Sequence, residues 1–196
     1  NLYDPANGRF YQPPIVKKIS PTENYPIREL KLDPYGHIWA IFSDGLVQFE
    51  SQGGATPEQR AQQVQIHTEI LPKGLTGGIS SISVVGEELW IIADKGYFAV
   101  SLKNLSYRPL AFDNIPAPMR FWEDKTEHVI WVIHRQGLSR ISNNVASNIF
   151  NNGPPMAEVD GIHCASGIYF FSLSRVYKWQ NGVLYALPEV VDEMII

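Results

Sequence analysis

The residue types that could do chemistry in this chain are few and widely scattered. Five histidines are present, at positions 37, 67, 128, 134 and 163. No two of them have the spacing of metal ligands on one element, and no His-Glu-x-x-His, Gly-x-Ser-x-Gly or phosphate-binding glycine sequence occurs. The sequence therefore predicts no catalytic residue, no cofactor and no metal site, with a metal site assembled from distant segments as the alternative.

A second group of candidates consists of charged or polar side chains that follow directly on short apolar runs. A turn alone would accept smaller residues there, so a charged side chain at such a place is available to a ligand. We predict a ligand-binding constellation from these residues and one arginine that lies between repeats: Asp44, Asp94, Lys95, Arg120, His134, Arg135 and Arg175. The sequence leaves open the alternative that they are solvated turn residues.

An aromatic residue recurs at the start of apolar, β-favouring runs and organises the chain. It occurs at Trp39, Trp90, Trp131 and Tyr169, with spacings of 51, 41 and 38 residues. Six residues after each tryptophan comes a glycine, which permits positive φ in a tight turn, whereas Arg175 takes this place in the fourth copy. We predict that the four aromatic residues occupy equivalent buried sites and are not a carbohydrate-stacking platform.

Each repeat has the outline of four antiparallel strands. In the first copy Leu30 and Leu32 alternate with Glu29 and Lys31, as in a strand with one apolar face. Residues 33–36, Asp-Pro-Tyr-Gly, then supply a reverse turn. Four such strands repeating about every 40 to 45 residues have the dimensions of a propeller blade. The predicted fold class is therefore all-β, with about four to five β-propeller blades belonging to a larger propeller of the seven-bladed type.

The spacing of the repeats divides the chain into segments. Residues 1–26 are predicted to end a preceding blade, and residues 189–196 to begin a further one. Four blades are predicted between them, at residues 27–76, 77–116, 117–156 and 157–188. The first is the longest because of an insertion at 51–63, which has the signals of one helical turn.

The first copy resembles the two-component regulator propeller repeats of bacterial periplasmic sensors. Residues 32–39 read Leu-Asp-Pro-Tyr-Gly-His-Ile-Trp, and Gly45-Leu46 follows at the distance that this family uses. The copy around Trp131 also matches, and the fourth copy departs most, with Arg175 in place of glycine. The resemblance implies a sensor region outside the inner membrane of a bacterium, with a histidine kinase or other output domain elsewhere in the parent protein.

Composition limits the partners. The net charge of -4 leaves no basic surplus for nucleic acid or an anionic membrane surface. No stretch approaches the roughly 20 apolar residues of a membrane helix, so we expect no direct insertion of this segment. The single cysteine, Cys164, is predicted to be a small buried strand residue. Because an open ring would expose strand edges and apolar faces, we expect self-association or docking of the remaining blades of the parent.

These observations lead to one preferred function and two alternatives. The preferred function is a non-catalytic, extracytoplasmic segment that senses a small molecule or an oligosaccharide, a step that rests on the family resemblance. One alternative is a fragment of a propeller enzyme of the lyase or lactone hydrolase type. The other is a propeller that only binds proteins, which the sequence does not separate from a sensor.

Overall fold

The computed structural model describes residues 2–11, 27–42, 45–51, 56, 64–67, 78–112, 115–143, 145–151, 160–171 and 175–188. These residues form eighteen strands in one two-stranded and four four-stranded sheets. The prediction of an all-β chain with blades of four antiparallel strands is confirmed. Most of the predicted insertion, the segment 189–196 and Asp44 lie outside the described residues.

The chain divides into two compact units, residues 1–109 and 110–196. The first unit begins with a hairpin of β1 (Leu2–Asp4) and β2 (Arg9–Tyr11). The first blade consists of β3 (Glu29–Leu32), β4 (Ile38–Phe42), β5 (Gly45–Ser51) and β6 (Val64–His67). The second blade consists of β7 (Ile79–Val85), β8 (Glu88–Ala93), β9 (Gly96–Ser101) and β10 (Tyr107–Leu110), whose last residue crosses the boundary.

The second unit contains two further blades. The third blade consists of β11 (Pro118–Asp124), β12 (Val129–His134), β13 (Gly137–Ser142) and β14 (Val145–Asn151). The fourth blade consists of β15 (Asp160–Cys164), β16 (Gly167–Phe171), β17 (Val176–Gln180) and β18 (Val183–Ala186). In all four sheets the strand order follows the chain, as in a meander.

The turn between the second and third strands is built on glycine in the first three blades. Gly45, Gly96 and Gly137 have φ values of 152°, 131° and 147°, a region that side chains with a Cβ rarely adopt. In the fourth blade Val176 pairs with Phe171, and Arg175 precedes the third strand without any glycine. The repeat glycine is thus a requirement of the tight turn, and the fourth blade connects these strands differently.

Each unit has a core in which the second strand of one blade packs on the following blade. In the first unit Trp39, Ile41 and Leu46 share a buried cluster with residues of the second blade. In the second unit Trp131, at the position of Trp39, contacts Phe170 and Trp179 of the fourth blade with ring centroids 5.0 and 5.1 Å apart. The aromatic repeat is therefore core packing between neighbouring blades in both units.

Two expectations about burial are wrong. Tyr169 has the strand register of the three buried tryptophans but is only half-buried, because its hydroxyl bonds Ser166 Oγ at 2.9 Å and Lys178 Nζ lies 5.7 Å from its ring centroid. Polar groups thus occupy the place where the tryptophans meet apolar side chains. Cys164 is exposed, since it ends β15 at a turn, and its thiol lies 3.3 Å from Ser166 Oγ.

Candidate functional site

The turn between β8 and β9 carries the two candidates of the first unit, Asp94 and Lys95, and both side chains are exposed. The backbone N–H of Asp94 donates to the carbonyl of Gly78 at 3.0 Å, which fixes this turn beside the start of β7. The Asp94 carboxylate occupies the space that a Cβ on Gly78 would need, and Gly78 has a φ of 61°. Glycine is therefore required at position 78 to hold Asp94 in this place.

His134 does not lie in a loop, as the sequence suggested, but ends β12 with its side chain fully buried. Its Nε2 lies 3.0 Å from the Ser139 hydroxyl, and its Nδ1 has no hydrogen-bond partner among the described residues. Burial lowers the pKa of His134, so its ring is neutral at neutral pH. In this position His134 supports the turn, and a ligand would reach its neighbours first.

The remaining described candidates are arginines of the second unit. Arg120 is a residue of β11 and does not belong to a loop between blades; it is half-buried and follows a bulge that starts at Pro118. Arg135 is exposed in the turn that follows His134, and Arg175 is exposed immediately before β17.

The structure brings some of these candidates together within the third blade. Pro118 pairs with His134 and Arg120 with Ile133, so Arg120 lies beside the end of β12, from which Arg135 continues. Asp94 and Lys95 are adjacent to each other in the first unit. Binding by any of these residues remains a prediction, because their positions define accessibility and not a ligand.

The opposite ends of the blades hold a hydrogen-bond centre that the sequence analysis treated only as a turn. Asp33 is buried and accepts hydrogen bonds from the backbone N–H groups of Tyr35 and His37, each at 2.9 Å. Its Oδ2 accepts from Trp39 Nε1 at 3.0 Å and lies 3.0 Å from His37 Nδ1. Burial raises the pKa of Asp33, but the hydrogen bonds from Trp39 and His37 together outweigh it and hold the pKa below its ordinary value.

The third blade has a corresponding carboxylate, Asp124, with different partners. Its Oδ1 accepts from the backbone N–H groups of Thr126 and Glu127 at 2.9 and 3.2 Å. Its Oδ2 lies 2.9 Å from Nδ1 of His163 in the fourth blade. Because an ionised carboxylate only accepts, the His163 ring donates this bond, which joins two neighbouring blades.

In the first unit, an exposed polar chain joins the first and second blades. The Tyr35 hydroxyl donates to Glu87 at 3.1 Å, and Lys103 Nζ lies 2.8 Å from the same carboxylate. The sequence analysis missed these partners because they are 52 residues apart for the first pair. The only usable signal was the corner sequence itself, which places Asp33 six residues before Trp39.

Two searches were limited to the described part of the chain. There, no three His, Cys, Asp or Glu side chains are grouped so that they could hold a metal ion. Among the same residues, no helix has the length and apolar character needed to cross a membrane.

Comparison of sequences finds neither a matching family pattern nor a matching curated protein. Comparison of structures finds a catalytically inactive variant of virginiamycin B lyase from Staphylococcus aureus, in a crystal structure with quinupristin. Its TM-score is 0.60 at 11% identity, and the match covers 87% of this chain and 58% of the lyase.

Extracellular domains of signalling proteins are also similar. One, from a putative hybrid two component system of B. thetaiotaomicron, has a TM-score of 0.59 at 15% identity and covers 85% of this chain and 22% of that domain. A second such domain from the same organism has a TM-score of 0.56 at 11% identity and covers 85% of this chain and 25% of its own. At these identities the similarity establishes the fold, β-propeller blades, and the chain spans only part of each protein.

Proposed function

We propose that this chain is a segment of an extracytoplasmic sensor propeller of a bacterial two-component regulator and that it binds its ligand without catalysis. The observation that carries the proposal is the exposure of Lys95, Arg135 and Arg175 at the turns between the second and third strands of three blades. The similarity of the fold to extracellular domains of two-component systems supports the same assignment.

The charges at these turns favour an anionic ligand. Of the candidates whose positions are described, Lys95, Arg120, Arg135 and Arg175 are cationic, and Asp94 alone is acidic. Arginine presents a planar fork of donors that matches carboxylate geometry, and ionised partners give the stronger hydrogen bonds. The ligand class that fits is therefore a small carboxylate or an acidic oligosaccharide.

Calorimetric titration tests this proposal. The chain is titrated with an acidic trisaccharide, trigalacturonate, and with the neutral trisaccharide maltotriose. We expect heat of binding from the acidic probe only, and Arg135→Ala should weaken binding at least about tenfold, as loss of a charge-assisted hydrogen bond does. Lys125→Ala removes the same charge at an exposed position of a different turn and serves as the control. Equal binding of both probes, or equal effects of both variants, would exclude an anion site at these turns.

The similarity to virginiamycin B lyase supports a second candidate, a lyase fragment. A general base must come within hydrogen-bond reach of the substrate proton, and the His134 ring is fully buried with Nε2 at Ser139. This placement favours the sensor over a lyase that uses His134. Incubation of the chain with quinupristin, followed by chromatography, tests the candidate, because a new product would establish the activity and unchanged quinupristin would argue against it.

A further inference from the structure

Within each unit, one blade contributes three apolar side chains to a contact with the next blade. These residues occupy the same positions of the repeat: Trp39, Ile41 and Leu46 in the first unit, and Trp131, Ile133 and Leu138 in the second. We call the side of a blade that carries them its aromatic face and the opposite side its receiving face. The same contact is thus formed twice in one chain.

The receiving face of the second blade is fully packed. Ile82 is 0% exposed and pairs with Ile91, while Leu89 is 0% exposed and pairs with Val84. All of these contribute to or pack against the cluster that contains the aromatic face of the first blade. The fourth blade repeats the arrangement, with its Ile168 and Phe170 buried in the cluster of the third blade.

The corresponding residues of the first blade are exposed to solvent. Leu30 pairs with Ala40 as Ile82 pairs with Ile91, and Leu32 pairs with Ile38. Leu30 is 53% exposed, Leu32 68% and Ile38 39%. A contiguous apolar surface of this kind marks an interaction site.

The fourth blade presents an aromatic face of its own. Phe171 pairs with Val176 as Ile41 pairs with Leu46, so Tyr169, Phe171 and Val176 stand at the three aromatic-face positions. Phe171 is 42% exposed, and the other two are half-buried. The chain therefore carries both halves of the contact that its blades already form, one on its first blade and one on its fourth.

We infer that the receiving face of the first blade binds the aromatic face of the fourth blade in a second copy of the chain. The two surfaces differ, so the interface is head-to-tail, and each copy retains one surface for a further copy. Apolar burial drives the association, as it does between the blades inside one unit.

Sedimentation velocity with complementary variants tests the inference. Leu32→Glu disables the receiving face and Phe171→Glu the aromatic face, while Val145→Glu alters a residue that is 67% exposed in β14 and is the control. We expect the parent and the control to associate as concentration rises, and each of the two face variants to associate at least about tenfold more weakly. Thermal unfolding of each variant verifies that it is folded.

The decisive sample is an equimolar mixture of the two face variants. One variant keeps an intact fourth blade and the other an intact first blade, so a head-to-tail interface forms once per pair and yields a dimer. A parent that stays monomeric at every concentration, or a mixture that stays monomeric while the parent associates, would overturn the inference. Weak association of the Val145→Glu control would overturn it as well, because the effect would then come from charge alone.

Discussion

The first and third blades solve the same corner in two ways. In the first blade Asp33 follows the strand and binds the indole N–H of Trp39 in its own blade at 3.0 Å. In the third blade Asp124 is still paired within the strand, opposite Val129, and its free oxygen meets His163 of the next blade at 2.9 Å. Trp131 is left with a buried Nε1 that has no hydrogen-bond partner among the described residues.

One residue of chain length separates the two arrangements. Asp33 precedes its tryptophan by six residues and Asp124 by seven, so the carboxylate and the indole have a different relative position. The first corner spends its carboxylate on local order within a blade, whereas the third spends it on the contact between blades. A repeat can thus keep its aspartate and its tryptophan while their partnership changes.

The largest expected effect follows from the dependence of Trp131 on packing alone. Trp131→Ala should lower the free energy of unfolding by about 3 to 5 kcal/mol, as truncation of a large core residue does. Tyr169→Ala, at the same register but half-buried, should cost clearly less. Urea unfolding measures both, and a Trp131→Ala protein as stable as the parent would contradict the role of this ring in the core.

Phenylalanine at the two tryptophan positions separates packing from hydrogen bonding. Both changes remove similar ring area, but only Trp39→Phe removes a donor to a carboxylate. Trp39→Phe should therefore cost about 1.5 to 3 kcal/mol more than Trp131→Phe, the range for hydrogen bonds to charged groups. Equal costs in urea unfolding would mean that the bond to Asp33 adds nothing to stability.

A double-mutant cycle tests the contact between the third and fourth blades. Asp124→Asn and His163→Ala, alone and combined, should give a coupling energy of about 1 kcal/mol. The same cycle on Asp33 and His37 measures a pair inside one corner and is the matched comparison. Additive costs at Asp124 and His163 would show that the bond at 2.9 Å does not hold these blades together.

The smallest effect concerns pH. The pKa of Asp33 is lower in the folded protein than in the unfolded chain, so its stabilising contribution is complete above the unfolded pKa, near 3.9. It is lost as the pH falls through the folded pKa. The stability difference between the parent and Asp33→Asn should therefore shrink below about pH 4 in urea titrations. A difference that stays constant between pH 6 and pH 3 would contradict this assignment.

The sequence predicted what is repeated and missed what differs between repeats. The aromatic and glycine spacing predicted the strands and the tight turns, because strand period and backbone conformation are local properties. The exposure of Cys164, the half-burial of Tyr169 and the burial of His134 depend on which neighbours reach each side chain. The bond between Asp124 and His163 joins residues 39 positions apart, which no local pattern encodes.

The contact between Trp131 and Trp179 gives the second unit an optical signature. The two indoles belong to neighbouring blades, lie 5.1 Å apart and are inclined at 75°. Transitions of two chromophores at such a distance and angle couple and produce paired bands of opposite sign in circular dichroism. Separation of the two blades would abolish these bands even if every strand persisted, so the spectrum records the docking of blades independently of their strand content.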